Sequence, residues 1–192
     1  MMTKGSQGAA GDRPDTEHHD RSLADLDLRS AGEIVSTLVT SHNLVLATGT
    51  MAKSQLTELV GVAVECLEAG GRMIYVGAGS AGMIAELDAS ELTPTFGIDE
   101  DTVFALVAGA DLPPGTERAP VEDDADAGRA DLIAREPGEN DLVVGISASG
   151  TTRYVLGALD TAAAAGATTA AIVCALGSPM AAKAEHLVEI RP

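Results

Sequence analysis

Four hydroxyl side chains lie within six consecutive residues, and their types and spacing suit the binding of a phosphate group. They are Ser147, Ser149, Thr151 and Thr152, with Gly150 among them. The segment follows an apolar, strand-like run and opens a helical one, so hydroxyls and backbone N–H groups converge at a helix N-terminus, which attracts anions. No lysine lies among them as in loops that bind nucleoside triphosphates, which favours a phosphate monoester. Helix capping by Ser and Thr is the alternative interpretation.

A second loop, from Gly77 to Gly82, reads Gly-Ala-Gly-Ser-Ala-Gly and also follows an apolar run. Dinucleotide-binding loops have this glycine spacing, together with an acidic residue about 20 positions further on that holds the ribose hydroxyl. Asp111 is the candidate for that acidic residue. A glycine turn that only lets a helix pack closely on a strand shows the same pattern. The loop therefore indicates either a ligand site or close packing.

Apolar runs of strand length alternate with helical patterns along the chain, and this predicts an α/β fold. The predicted strands are 73–76, 102–108, 142–146, 168–174 and 187–190. The predicted helices begin at Ser30 and at Met51, cover 81–89 and 152–165, end near Ala134, and include a short helix at 179–185. Such alternation is typical of a parallel sheet with helices on both faces. We expect a three-layer αβα sandwich with a mostly parallel five-stranded sheet, preceded by N-terminal helices.

Ligands bind beyond the carboxyl ends of the strands in sheets of this kind. Both loops follow strands, so both lie at that edge. One phosphate group and one polar sugar ring would occupy the two loops together.

The composition fits one globular domain. Of 192 residues, 45% are hydrophobic and only 2% are aromatic, so the core must be aliphatic. Residues 1–20 are polar and predicted to be a disordered tail, which leaves 21–192 as a single domain. Cys66 and Cys174 are interpreted as reduced thiols, and no metal-ligand spacing occurs.

The net charge is −17, which repels nucleic-acid backbones and anionic membranes. Neither a membrane-spanning apolar stretch nor a signal-peptide pattern is found, so we expect a cytoplasmic protein that binds neither nucleic acid nor membrane.

Three groups of residues resemble those of a known family. The hydroxyl loop Ser147-x-Ser149-Gly150-x-Thr152 resembles the phosphate loop of sugar isomerase (SIS) domains. A narrower similarity, to the N-acetylmuramic acid 6-phosphate etherases, rests on Gly77–Gly82 followed by Leu87-Asp88-Ala89-Ser90-Glu91 and Pro94–Gly97, and on the spacing of Thr16, Glu17, Asp27, Ser30 and Glu33.

The resemblance implies a carbon–oxygen lyase that removes D-lactate from N-acetylmuramic acid 6-phosphate and leaves N-acetylglucosamine 6-phosphate. Glu91 matches the acid that protonates the departing ether oxygen, and Glu122 or Glu117 would supply the second carboxylate. The sugar phosphate would be held by the residues Gly79, Ser80, Ser147, Ser149, Gly150, Thr151 and Thr152. The resemblance implies no metal or redox cofactor, and it implies a homodimer.

Several positions depart from the etherase pattern. Ala119 occupies the place of the second catalytic glutamate, and Met83 that of an arginine. The chain ends at Pro192, before the helical C-terminal part of the family, which indicates a truncated or split protein or a shortened domain. Two alternatives therefore stay open. One is a non-catalytic module that binds a hexosamine 6-phosphate and regulates a partner, and the other is a nucleotide-dependent oxidoreductase.

Overall fold

The structure is a computed structural model that describes residues 20–113, 116–117 and 119–190. The predicted disordered tail, apart from Asp20, lies outside these residues. Two short 3-10 helices, Arg21–Leu23 and Leu26–Leu28, open the described part. The first long helix, α1 (Ala31–Met51), starts at a capping box in which Ser30 Oγ accepts from the Glu33 N–H and the Glu33 carboxylate accepts from the Ser30 N–H.

The remaining elements alternate as the apolar pattern predicts. They are α2 (Lys53–Glu68), β1 (Met73–Gly77), α3 (Gly79–Phe96), β2 (Val103–Val107), α4 (Ala119–Glu122), α5 (Ala125–Ile133), β3 (Leu142–Ser147), α6 (Arg153–Ala164), β4 (Thr168–Val173) and β5 (His186–Glu189). The five strands form one sheet in the order β2-β1-β3-β4-β5, and every neighbouring pair is parallel. The predicted α/β class and five-stranded sheet are confirmed.

Alternate residues of each strand face opposite layers of helices. Val143 on β3 packs with Leu132 of α5 and the buried side of α6. Its neighbours Leu142 and Val144 pack in a second cluster with α2. Tyr75 packs against this second cluster and donates a hydrogen bond to Asp88 of α3. The sheet is thus covered by α2 and α3 on one face and by α5 and α6 on the other, which is the predicted three-layer arrangement.

A buried ion pair joins the starts of β1 and β3. The Asp141 carboxylate accepts from the backbone N–H of Arg72 at 2.9 Å, from Nη2 of the same residue at 2.6 Å, and from the Gly138 N–H at 3.0 Å. Burial raises the pKa of Asp141, but the Arg72 guanidinium and the two N–H donors outweigh it and hold the pKa below its usual value. The pair fixes the edge of the sheet opposite the carboxyl ends of the strands.

Two predicted helices differ from the structure. Helix α3 continues beyond the predicted end at residue 89 to Phe96, passes Pro94, and stops at Gly97, whose φ is +69°. The predicted helix at 179–185 is wrong, because this segment forms turns. Met180 in this segment is fully buried, and its N–H donates to Gly150 O. These contacts with the core determine the backbone path in place of a regular helix.

Helix α1 stands apart from the core. It contacts α2, and none of its described side chains is buried. Within the described ranges, no helix combines the length and apolarity that crossing a membrane requires.

Candidate functional site

The two loops of interest meet where the direction of the sheet connections reverses. Strand β1 leads through α3 to β2 on one side, and β3 leads through α6 to β4 on the other. Strands β1 and β3 are neighbours, with Gly77 opposite Ile146. The segments that follow these two strands therefore run in opposite directions and leave a crevice between them. Ligands usually bind at this position in such sheets.

Two of the four hydroxyls in the β3 loop face inward and shape it. Ser147 and Thr152 are buried, and their hydroxyl oxygens lie 2.8 Å apart. The Gly150 N–H donates to Ser147 Oγ at 3.1 Å. These bonds close the loop on itself, so Ser147 and Thr152 have a structural role whether or not they also contact a ligand.

The other two hydroxyls lie at the surface of the loop. The Ser149 and Thr151 oxygens are 2.8 Å apart, and Thr151 is exposed. They precede the N-terminus of α6, whose first N–H groups have no partner within the helix. Arg153, the first residue of α6, is exposed. This arrangement can bind an anion with hydroxyl and amide donors.

Residues outside the loop hold it in shape. Gly150 has a φ of +64°, and a Cβ there would lie 2.2 Å from Ser178 Oγ. The Cys174 N–H donates to Ala148 O at 3.0 Å. Sequence reasoning missed Ser178, because nothing in the local pattern shows that the turn after β4 folds back onto this loop.

Tyr154 anchors the first turn of α6. Its side chain is 1% exposed and donates to Asp131 of α5 at 2.6 Å. Burial, reinforced by this bond to a carboxylate, raises the pKa of Tyr154, so the hydroxyl stays protonated and keeps donating. The direction in which the N-terminus of α6 points is thereby fixed relative to α5.

The glycines of the β1 loop have two different roles. A Cβ on Gly77 would lie 2.8 Å from the Gly82 backbone, and one on Gly82 would lie 2.7 Å from Val107 Cγ1. These two glycines allow α3 to pack closely on β1 and β2. Gly79 differs, since it is exposed and has a φ of +51°. Dinucleotide-binding loops show the same close packing, so the pattern itself does not discriminate between ligands.

One of the two candidate second carboxylates approaches the β1 loop. Glu122, the last residue of α4, is partly buried, and its Oε2 lies 4.0 Å from the position of a Cβ on Gly79. Glu117 is exposed and precedes α4. The structure thus brings Glu122 and Gly79 together at the crevice, and Ser80 follows as an exposed residue in the first turn of α3.

Glu91 lies near the other end of α3. It follows Gly79 by twelve residues, which at 1.5 Å per residue is about 18 Å along the helix. Its neighbours Ser90 and Thr93 line a cavity beside Val103 at the start of β2. Glu91 is exposed there. Within one chain, Glu91 and the hydroxyl loop are therefore not brought together.

Asp111, the candidate for a ribose-binding acid, lines a cavity on the side of the sheet that α5 and α6 cover. This cavity of about 280 Å³ lies between β2, α5 and α6 and is also lined by Asp131, Arg135 and Tyr154. Among the residues that the structure describes, no group of three or more His, Cys, Asp or Glu side chains could hold a metal ion.

A comparison with models of protein families gives a match to the part of the chain that contains the crevice. Residues 55–163 match the glucokinase regulatory protein N-terminal SIS domain. The chain belongs to the SIS family. The matched range contains both loops of this SIS domain, together with Glu91 and Glu122.

Curated relatives support the narrower resemblance, the one to the N-acetylmuramic acid 6-phosphate etherases. The N-acetylmuramic acid 6-phosphate etherase of Lactococcus lactis is 37% identical over 91% of this chain, and that of Erwinia tasmaniensis is 41% identical over 88%. The predicted resemblance to these etherases is confirmed. The chain spans only 59% and 56% of the two relatives' lengths.

Solved structures share the fold. A phosphoheptose isomerase from Neisseria gonorrhoeae superimposes with a TM-score of 0.66 over 84% of this chain and 85% of that one, at 17% sequence identity. The likeness establishes the SIS fold independently of the sequence.

Proposed function

We propose that this SIS domain is an etherase that cleaves the D-lactyl ether of N-acetylmuramic acid 6-phosphate. The observation that carries the proposal is the identity of 37–41% to etherases over about nine-tenths of the chain, together with an anion-binding loop at the crevice. We further propose that it works in the cytoplasm, with residues 21–192 as one domain and without a metal or redox cofactor.

The proposed reaction is an elimination followed by addition of water. In the open-chain sugar the C1 aldehyde acidifies the C2 proton, which a carboxylate base removes. The C2 electron pair forms the double bond as the C3–O bond breaks, and an acid protonates the departing lactate oxygen. D-lactate leaves in this elimination. Water then adds at C3 of the unsaturated sugar and gives N-acetylglucosamine 6-phosphate. No electron acceptor enters this balance.

The residues divide between binding and proton transfer. Ser149 and Thr151 would donate to the 6-phosphate from the loop that Ser147, Gly150 and Thr152 shape. In this proposal, Gly79 and Ser80 border the sugar, and Glu122 at Gly79 is the base. Glu91 is the acid, in agreement with the match of Leu87–Glu91 to the etherase pattern.

The position of Glu91 leads us to propose a homodimer with a shared site. The distance of about 18 Å along α3 is longer than a hexose phosphate. An acid that protonates an ether at neutral pH also needs shielding from water, whereas Glu91 is exposed on the single chain. A second copy that brings its Glu91 to this crevice would meet both needs.

Release of lactate from N-acetylmuramic acid 6-phosphate tests the function. We expect turnover by the native chain and a loss of at least about a hundredfold in kcat for Glu91→Gln. Glu86→Gln is the matched control, because Glu86 is an exposed glutamate on another side of α3; it should keep native turnover. Normal turnover by Glu91→Gln would refute the assignment of the acid.

Mixing two inactive variants tests the shared site. Glu91→Gln and Ser149→Ala each damage one half of the site. When they are mixed in equal amounts and allowed to exchange, half of the dimers are mixed, and each mixed dimer has one intact site. Activity should recover to about one quarter of native, by the statistics of random pairing. If the native chain is active and the mixture is not, both halves of the site belong to one chain.

A non-catalytic sugar-phosphate-binding module is the second candidate. It is favoured by Ala119 at the position of the second family glutamate and by the match to the glucokinase regulatory protein domain. It predicts that N-acetylglucosamine 6-phosphate raises the melting temperature without any lactate release from the etherase substrate. Ser149→Ala should reduce that shift and Glu91→Gln should not.

A further inference from the structure

We propose that the open edge of strand β2 binds an extended, basic segment of another protein as an added strand. Strand β2 lies at one end of the sheet and pairs with β1 alone among the described strands. Its sequence, Val-Phe-Ala-Leu-Val, contains neither a charged residue nor proline, two of the devices that keep an exposed edge from pairing. The inference goes beyond the proposed function, because it concerns a partner outside the crevice and not the sugar phosphate.

The backbone of β2 has hydrogen-bonding groups on its open side. Just before the strand, Thr102 O accepts from the Met73 N–H at 2.9 Å, so this residue faces β1. Because successive residues of a strand turn their backbone groups to opposite sides, Val103 and Ala105 direct theirs away from β1. The open stretch ends at Val107, whose carbonyl accepts a hydrogen bond from the turn that follows. An added strand would pair with the groups that precede this turn.

The opposite edge of the sheet shows how an edge strand of this protein is covered. At β5, the Glu189 N–H donates to Oε1 of Gln55 at 3.2 Å, and His186 Nδ1 lies 2.8 Å from Glu58 Oε1. Both partners belong to α2, which therefore lies against β5. Beside β2, cavities are found instead of such a cover. Within the described part of the chain, β2 is thus the edge that is available to a partner.

One cavity lies on each face of the sheet beside this edge. On the face that α5 and α6 cover, residues 105–107 of β2 line the cavity of about 280 Å³. On the face that α3 covers, residues 103–105 line a cavity of about 440 Å³. Ala105 lines both cavities, so the edge at Ala105 separates them. Side chains of a strand point alternately to the two faces, and successive side chains of an added strand would therefore enter one cavity and then the other.

Carboxylates in both cavities indicate the chemistry of the partner. The exposed acidic residues that line them are Asp111 and Asp131 in the first cavity and Glu86 and Glu100 in the second. Among the described lining residues, Arg135 is the only cation, and its guanidinium lies over the Phe104 ring, 5.1 Å from the centroid. Two adjacent Lys or Arg residues in an added strand would place one cation at each cavity.

A second copy of this chain does not supply those cations from its own β2. The five residues of the strand include no Lys or Arg, and the net charge of −17 repels a like molecule. The same charge attracts a segment with adjacent basic residues. Strand addition provides main-chain hydrogen bonds, and pockets for alternate side chains provide specificity. The occupant that fits both properties of this edge is a basic polypeptide in extended form.

Fluorescence anisotropy with a labelled peptide tests the inference. The probe is fluorescein-Thr-Val-Lys-Lys-Val-Thr-amide, whose palindromic sequence can pair in either strand direction. In 0.15 M NaCl we expect the native chain to bind it with a Kd of about 100 μM or tighter. A second peptide of the same charge is N-methylated at both Lys residues and so lacks one main-chain donor on each side of the strand. It should bind at least about tenfold more weakly.

Variants of the chain test charge and main-chain pairing separately. Glu100→Gln with Asp111→Asn removes one carboxylate from each cavity and should weaken binding of the probe at least about tenfold. Glu65→Gln with Glu68→Gln is the matched control, because it removes the same charge from exposed positions of α2; it should bind like the native chain. Ala105→Pro removes the N–H that faces the open side, where an edge strand tolerates proline. This variant should also lose about tenfold in affinity.

Three outcomes would overturn the inference. The first is no binding of the probe at concentrations up to about 1 mM. The second is equal affinity for the N-methylated peptide, because general charge attraction would then explain the binding. The third is an Ala105→Pro variant that sediments as a smaller species than the native chain, because the edge would then join copies of this chain.

Circular dichroism shows whether the variants are folded. If Ala105→Pro is not, the N-methylated peptide still tests main-chain pairing on the native chain. No sugar phosphate enters these measurements, so failure of this inference is distinguishable from absence of etherase activity.

Discussion

At the scale of single residues, Asp141 makes the stability of the sheet depend on pH, because its pKa is lowered in the folded state. It is 5% exposed and receives hydrogen bonds from Arg72 and Gly138. A carboxylate whose pKa is lower in the folded state than in the unfolded state stabilises the fold above its unfolded pKa. That contribution disappears as the pH falls through the folded pKa.

Asp141→Asn should therefore lose stability in a pH-dependent way. At pH 7 we expect the free energy of unfolding to fall by about 2–3 kcal/mol, because a buried charge-assisted network is broken and the Arg72 guanidinium loses its partner. The difference from the native chain should begin to narrow below about pH 4, because the carboxylate of the unfolded chain is protonated there first. It should disappear only as the pH falls through the lower pKa of the folded state. Urea titrations from pH 7 to pH 3 measure both effects.

Asp126→Asn provides the comparison for this prediction. Asp126 pairs with Arg129, but its side chain is 89% exposed, so solvent screens the pair. This variant should unfold like the native chain at every pH. If Asp126→Asn lowered the free energy of unfolding as much as Asp141→Asn does, the loss of one negative charge, and not the burial of the carboxylate, would determine the acid stability.

The chemistry of the candidate site could be read from residue types only in part. The hydroxyls at 147–152 predicted an anion site, because hydroxyl type and helix position are local properties. Their division into the inner pair Ser147–Thr152 and the outer pair Ser149–Thr151 depends on the turn, which the pattern does not encode. The separation of Glu91 from the loop follows from the length of α3, which the sequence interpretation ended too early.

At the scale of elements, the approach of α5 to α6 depends on two glycines. A Cβ on Gly157 would lie 2.0 Å from Ala125 O, and one on Gly128 would lie 1.9 Å from Tyr154 O. The two helix backbones are in contact at these points. This contact also places Asp131 within reach of Tyr154, and so it positions the N-terminus of α6.

Gly157→Ala should separate the two helices and destabilise the fold by about 1–3 kcal/mol, the usual cost of overpacking. Gly61→Ala is the matched substitution, because Gly61 lies in α2 with nothing within 4 Å of its added Cβ. Alanine there should stabilise the fold by about 0.5–1 kcal/mol through its higher helix propensity. Thermal or urea unfolding measures the change in the free energy of unfolding for each variant. The two changes should have opposite signs if α5 and α6 are in contact at Gly157, and the same sign if they are not.

The elements themselves were predictable where hydrophobic periodicity is strong. All five strands lie where the apolar runs predict them, because strands buried on both faces read as continuous apolar segments. The prediction of a helix at 179–185 is wrong because tertiary contacts override the local pattern there. The helical composition of this segment competes with a tertiary requirement, the burial of Met180 and its bond to Gly150, which no local pattern reveals.

At the scale of the whole molecule, the net charge of −17 opposes the approach of a sugar phosphate. The site offers hydroxyl and amide donors, with Arg153 as the adjacent cation. Added salt shortens the screening length from about 30 Å at 0.01 M to about 10 Å at 0.1 M. Long-range repulsion should weaken over this range more than the short-range hydrogen bonds at the loop.

We therefore expect the affinity for N-acetylglucosamine 6-phosphate to increase a few-fold between about 0.01 and 0.1 M NaCl. Isothermal titration calorimetry measures it directly. Arg153→Gln should bind more weakly and gain more from salt, because it removes the cation that directly follows the loop in the sequence. An affinity that falls with salt would mean that attraction at the site outweighs the charge of the whole chain.

The contact between Gly150 and the turn after β4 has a consequence for the order of folding. Carbonyl oxygens of the hydroxyl loop accept hydrogen bonds from the Cys174 and Met180 N–H groups, and Gly150 packs against Ser178. All three partners follow it by more than twenty residues. During synthesis the loop therefore leaves the ribosome well before the residues that shape it, and the site takes its form only when nearly the whole described chain has emerged. A nascent chain arrested near residue 165 would contain every hydroxyl of the loop and still lack its structure.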